Sequence, residues 1–247
     1  MIFIKKDSFP PEILVENKQT WTEELLENIK KYKGFSNIPH SIKNTMWMHY
    51  RHDDIKKKLF ASSNQKCAFC ESKPAESGNI EVEHFKPKSI YPELAFEWDN
   101  LLPICRKCND SKNDHDTGKK PIVNPCIEDP EKIFTYHFLN IIPKDEKNEV
   151  AERTIDVCNL NSERLYESRV KLMKALCSYE KVVDTWLKEI SNADTDRKRI
   201  RRINKLRDSL DILEGLTRAE EPYAGYCRYF LNQSKVYKEA QLLIKEQ

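Results

Sequence analysis

At 247 residues the chain is long enough for one large or two modest domains with a hydrophobic core. Its 42 basic and 40 acidic residues leave a net charge of +2, so the overall balance does not announce a nucleic-acid binder and any basic surface must come from segregation of charge. Eight cysteines fit a reducing compartment, and no stretch reads as a signal peptide or membrane span, so the expectation is a cytoplasmic protein with no membrane association.

In chain order, residues 1–19 read as irregular, because Pro10-Pro11 opposes a helix. Thr20 to Glu23 matches a capping box, and Leu25, Leu26, Ile29 and Tyr32 continue a helix that Gly34 can end. A second helix is expected from Ile42 to Ala61. It carries His49 and His52 three residues apart, which read as helix-surface or packing residues because no further ligand lies near them in sequence.

From Pro74 to Pro143 come eight of the twelve prolines, marking short strands, turns and loops. Two pairs, Cys67-Ala68-Phe69-Cys70 and Cys105-Arg106-Lys107-Cys108, bracket its first half. Each spacing puts two sulfurs on one side of a tight turn, so the four cysteines can surround one structural Zn²⁺. Such a metal supplies folding energy where little continuous apolar surface is available. Cys126, Cys158, Cys177 and Cys227 show no pairing pattern. The period-two run Ile80-Glu81-Val82-Glu83-His84 predicts a strand whose last two side chains face opposite ways, one toward a metal ion and one toward a water. Asn109, just past the second knuckle at the start of a short helix, offers a hard amide oxygen. Together with a carboxylate it suits Mg²⁺.

Glu83-His84, Asn100 and Asn109 between two zinc knuckles resemble the HNH nucleases and their ββα-metal site. The wording Val82-Glu83-His84-Phe85-Lys86-Pro87-Lys88, Phe96-Glu97-Trp98-Asp99-Asn100-Leu101 and Cys105-Arg106-Lys107-Cys108-Asn109 is similar to the PtuB family, the nuclease subunits of Septu anti-phage systems, and to retron-associated HNH proteins. Thr154 to Asn161 and Arg164-Leu165 also resemble that family's helical half. The resemblance implies that Glu83 and Asn109 bind a catalytic Mg²⁺ or Mn²⁺ and that His84 is the general base. It also implies that Asn100 braces the loop between the strands and holds the histidine's backbone or ring. Glu83 stands where many members carry Asp, and His115, six residues after Asn109, is a further candidate ligand. Lys86, Lys88, Arg106, Lys107 and Lys112 flank the site and are assigned to phosphate contacts.

After Lys144 only Pro222 remains and the pattern turns helical. Leu165, Leu172, Leu176, Tyr179, Val183, Leu187 and Ile190 predict one long amphipathic helix. A second buries Ile200, Ile203, Leu206, Leu210 and Leu213, and a third starts at Pro222 and buries Tyr226, Phe230 and Ala240. The helices can pack as an antiparallel bundle. Seven of the eleven residues from Arg197 to Arg207 are basic and none is acidic, so this helix, with Arg201 and Arg202, is a candidate nucleic-acid surface. A solvated face or a surface for an acidic partner protein are the other readings. No Walker sequence is present, so any ATP dependence must come from another protein.

The expected fold is α+β, mostly α. It has N-terminal helices over residues 1–62, a zinc-stapled HNH core over 63–143 and a C-terminal helical region over 144–247. The expected function is metal-dependent hydrolysis of nucleic-acid phosphodiesters, DNA favoured and RNA or tRNA the alternative. In the Septu-like setting the nuclease works beside an ATPase subunit of the PtuA type. A zinc-supported nucleic-acid-binding adaptor without catalysis is the competing class, and Glu83-His84 separates the two, since an adaptor has no use for a base beside a metal ligand.

Overall fold

The structure is a computed structural model that describes residues 1–73 and 79–246; Pro74 of the proline-rich segment lies outside them. The chain divides into two compact units, residues 1–134 with 142–160 and residues 135–141 with 161–247. Helices dominate, and the strands among the described residues form two small sheets, as expected for an α+β, mostly helical protein.

In the first unit, helix α1 (Glu12–Lys31) starts directly after Pro10-Pro11 and not at Thr20. The first turn of a helix needs no donor at its leading positions, so the prolines open the helix where the sequence reading had them oppose it, and Leu14 is buried. Thr20 to Glu23 lies inside α1 and caps nothing. The helix ends in a Schellman turn: Gly34 N–H donates to Ile29 O at 2.9 Å and Lys33 N–H to Lys30 O at 3.3 Å, with Lys33 taking the left-handed φ of 55°. The expected helix over 42–61 is two helices, α2 (His40–Tyr50) and α3 (Asp53–Ser62). His52 caps α3 by accepting the Asp54 N–H, while His49 stacks on Trp21 with centroids 4.6 Å apart. Both histidines are structural.

Strand β1 (Ile80–His84) pairs antiparallel with β2 (Leu101–Cys105), Ile80 opposite Cys105 and His84 opposite Leu101. Helix α4 (Arg106–Lys112) follows without a break. The period-two pattern sorts β1 into two faces. Ile80, Val82 and His84 are buried, and Val82 joins a core built with Leu14, Tyr50, Ile55, Leu59 and Phe96. Glu81 and Glu83 face α4. The N-terminal helices therefore form the floor beneath the strand that carries the candidate base. Helix α5 (Pro130–Ile133), strands β3 (Phe134–His137) and β4 (Asn140–Pro143), of which residues 135–141 belong to the second unit, and helix α6 (Glu149–Val157) follow. In α6 the Thr154 hydroxyl accepts the Val123 N–H at 2.8 Å.

In the second unit, α7 (Glu163–Ser191) and α8 (Asp196–Gly215) lie along one another. They bury Leu176, Val183, Leu187 and Ile190 of one and Ile203, Leu206, Leu210 and Leu213 of the other. Ile200, expected in that stripe, is 60% exposed. The expected last helix is broken into α9 (Ala224–Gln233) and α10 (Lys235–Lys245) by Ser234, whose hydroxyl caps α10 through the Tyr237 N–H at 3.0 Å. Arg169 is buried in α7 and donates to Leu139 O at 2.8 Å. No helix among the described residues is long and apolar enough to cross a membrane.

Candidate metal centre and active site

Two knuckles bring Cys67, Cys70, Cys105 and Cys108 together. Glu71 N–H donates to Cys67 O and Cys67 N–H to Ser72 O, both at 3.0 Å, closing the first turn; Ala68 N–H then ties it to Pro103 of β2 at 2.8 Å. The second knuckle is the junction of β2 and α4. All four sulfurs are buried and lie within 4.8 Å of one another, Cys70 and Cys105 at 3.7 Å. Zinc–sulfur bonds of about 2.3 Å put tetrahedral sulfurs about 3.8 Å apart, so the spacing fits a Zn²⁺. Hydrogen bonds from the Cys108, Cys67 and Cys70 thiols hold Cys105 far below the ordinary thiol range, while burial pushes Cys67 up. A cluster that shares protons in this way offers thiolate to a cation. Among the described residues it is the one group of three or more His, Cys, Asp or Glu side chains placed to hold a metal.

At the end of β1, His84 is buried. Its Nε2 lies 2.9 Å from Ala95 O, and because a carbonyl only accepts, Nε2 carries the proton. The lone pair is left on Nδ1, which is buried and has no hydrogen-bond partner. Tyr50 packs edge-on against the ring, centroids 4.7 Å apart. Burial first, and then the charges of Lys88, Lys112 and Arg51, push the His84 pKa well below the ordinary imidazole value, so the ring is neutral at pH 7. The side chain of Asn100 bonds to the loop and not to His84. Its Oδ1 accepts the Lys86 N–H at 2.7 Å, and its Nδ2 donates to Lys86 O and Leu94 O at 3.0 Å each. It thus clamps the loop that delivers the Ala95 carbonyl to His84.

The opposite face of β1 meets α4. Glu83 Oε1 accepts from Lys112 Nζ at 3.0 Å, and Asn109 Nδ2 donates to Glu81 Oε2 at 2.8 Å. Glu83 and Asn109 are thus on the same side of the sheet, each held by a different partner. Carboxylate and amide oxygens are hard donors, the type that suits Mg²⁺ or Mn²⁺. The assignment of Lys112 to phosphate is corrected: its side chain is fully buried and its ammonium is committed to Glu83 and to His84 O at 2.9 Å. Three residues past Asn109, one helical turn, Lys112 points at the strand and not at solvent.

The remaining candidates spread over the rim. Lys86 lies over the Tyr91 ring, Lys88 is half-buried over Trp47 and Tyr50, and Arg106 and Lys107 are exposed. The Nε2 of His115 meets Lys120 O at 2.8 Å, and His115 is not part of the cysteine cluster. In the second unit, Arg202 pairs with Glu189 at 3.4 Å and Arg201 is exposed. Sequence reasoning missed Glu81, Tyr50 and Arg51. The signal for Glu81 was present in the alternation that places it two residues before Glu83 on one face. For Tyr50 and Arg51, at the end of α2, no local pattern could have shown that they reach His84.

Residues 67–115 match the family model described as HNH endonuclease. The span begins at Cys67 and ends at His115, enclosing the four clustered cysteines, Glu81, Glu83, His84, Asn100, Asn109 and Lys112. The chain is 35% identical over 190 residues to a Septu protein PtuB of Bacillus thuringiensis, covering 74% of this chain and 65% of that protein. It is 30% identical over 155 residues to a Septu protein PtuB of Bacillus mycoides (strain KBAB4), covering 51% of this chain and 52% of that protein. The matched part thus spans between half and two thirds of these curated relatives.

Proposed function

We propose, from an HNH segment that encloses both knuckles and from the likeness to the PtuB proteins, that this chain is a metal-dependent endonuclease acting in anti-phage defence. The observation that carries the reading is the state of His84. Here Nε2 is fixed on Ala95 and Nδ1 is a free acceptor on a ring held neutral, which is the condition of a general base.

In the proposed reaction His84 Nδ1 takes a proton from a water admitted beside it. The oxygen of that water bonds to phosphorus, the bond from phosphorus to the 3′ oxygen breaks, and the departing oxygen acquires a proton from solvent. The cations around the protonated ring make imidazolium a strong acid, so the proton is soon returned. Lys88 and Arg51 bring positive charge near His84 for the phosphate. Glu83 and Asn109, with Glu81 beside them, would hold Mg²⁺ or Mn²⁺, which supplies Lewis-acid stabilisation of the charge that develops on phosphate and leaving group. The four cysteines would hold Zn²⁺, which would keep β2 and α4 in register with the first knuckle.

DNA is the favoured substrate and RNA the alternative. An ATPase subunit of the PtuA type is the proposed partner, and the cytoplasm the proposed site of action. The test is cleavage of DNA and RNA with Mg²⁺ by the purified, zinc-loaded chain, alone and with such an ATPase. His84→Ala should lose at least about a hundredfold in rate, the scale of general-base catalysis, while retaining one zinc per chain. Equal cleavage by parent and variant would remove His84 from the mechanism. No cleavage under any of these conditions would favour a binding adaptor.

A further inference from the structure

The second unit carries a cleft that the catalytic reading does not use. Within the hairpin of α7 and α8, Trp186 and Glu189 of the first helix and Lys198, Arg201, Arg202 and Lys205 of the second line a cavity of about 310 Å³. Four cations face one carboxylate, around a half-buried indole.

The cations differ in how firmly they are held. Arg202 is part of the wall, donating to Glu189 O at 2.6 Å and pairing with its carboxylate at 3.4 Å. Lys198 meets Asp194 at 2.8 Å and Lys205 meets Asp208 at 3.7 Å. Both pairs are exposed, and such pairs are weak enough to yield to a phosphate. Arg201 has no carboxylate partner among the described residues and is exposed. A merely solvated helix face would intersperse acids, and the stretch from Arg197 to Arg207 has none. An acidic polypeptide would use the cations but has no need of an indole plate among them. Stacked bases joined by phosphates need both, and only unpaired bases expose a face to stack.

We propose that Trp186, Arg201 and Lys205 form a stacking subsite for single-stranded nucleic acid, with Lys198 as an auxiliary phosphate contact. The subsite is independent of whether the chain cleaves what it binds.

The test uses the full, zinc-loaded chain carrying His84→Ala, with a fluorescein-labelled single-stranded 20-mer followed by anisotropy at several salt concentrations. Trp186→Ala should weaken binding about tenfold, and Trp186→Phe should restore most of it. On an abasic strand of the same length Trp186→Ala should have no effect. Arg201→Ala with Lys205→Ala, which leaves the buried stripe untouched, should weaken binding of both strands and lower the salt slope by about 0.7 for each phosphate contact removed. The proposal falls if both the Trp186→Ala and the Arg201→Ala/Lys205→Ala proteins bind the base-containing strand as the parent does. It also falls if poly-glutamate binds more tightly than the oligonucleotide and is lost with the same substitutions, which would make the cleft a dock for an acidic protein. Because the background cannot use His84, the result does not depend on the nuclease reading.

Discussion

Lys112 shows how one side chain can decide the electrostatics of a site. Its ammonium lies in a buried position against the Glu83 carboxylate, whose side chain is 12% exposed. Removing one partner of such a pair leaves the other charge stranded, so Lys112→Met should cost about 3 kcal/mol of stability, read as a fall in the midpoint of denaturant unfolding. The double variant Lys112→Met with Glu83→Gln should recover part of that loss, because neither charge is then left alone; no recovery would mean that the pair is not coupled. His84 has a pH signature of its own. Its folded-state pKa is lowered, so above the unfolded value of about 6.5 the ring is neutral in both states and the full stability is present. As the pH falls below that value the unfolded chain takes up the proton first, and stability declines until the lowered folded pKa is passed. Denaturation at pH 7.5, 6 and 5 in zinc-saturated buffer should show this decline, and His84→Gln should show less of it.

At the scale of elements, the loop between β1 and β2 depends on Asn100. Three hydrogen bonds from its side chain hold Lys86 and Leu94. Asn100→Ala should therefore destabilise the fold by about 2 kcal/mol and free the Ala95 carbonyl to wander from His84 Nε2. The second effect is distinct from the first: hydrogen exchange in residues 85–95 should rise well before global unfolding. Much of this segment was legible in the sequence. The two cysteine spacings and the alternation of Ile80 to His84 are local patterns, and the structure has the knuckles and the strand where those patterns fall. The misplaced helix boundaries have two physical causes. Thr20, the stretch from Ile42 to Ala61 and the run from Pro222 were read by propensity and period, whereas burial set the start of α1 and local side-chain caps set the breaks in the other two. Leu14 needed burial, so α1 began early; His52 and Ser234 could satisfy the first amides of new helices, so two expected helices became four.

For the whole molecule, the two compact units differ in what folds them. The first contains the paired strands β1 and β2 and the cysteine cluster, and the second is built mainly from long helices with continuous apolar stripes. Stripping zinc with a chelator should therefore remove hydrogen-exchange protection from β1, β2 and α4 while α7 and α8 retain theirs. Cys105→Ser should reproduce that loss without chelator, with less than one zinc per chain by metal analysis. Equal protection of β1 with and without zinc would show that the unit stands on its apolar core alone.

The amino-acid order by itself determined what depends on near neighbours: which cysteines can share a metal, which residues alternate along a strand, and which acid and imidazole adjoin at its end. Folding decided which partners those groups meet, because the partners are distant in the chain. The carbonyl that fixes the His84 tautomer is 11 residues away, and the ammonium that neutralises Glu83 is 29 residues away. The Tyr50 ring belongs to a helix that precedes the first knuckle. A charge or a lone pair takes its chemistry from what surrounds it within a few ångströms, and that neighbourhood is set when β1 is packed between α4 and the N-terminal helices.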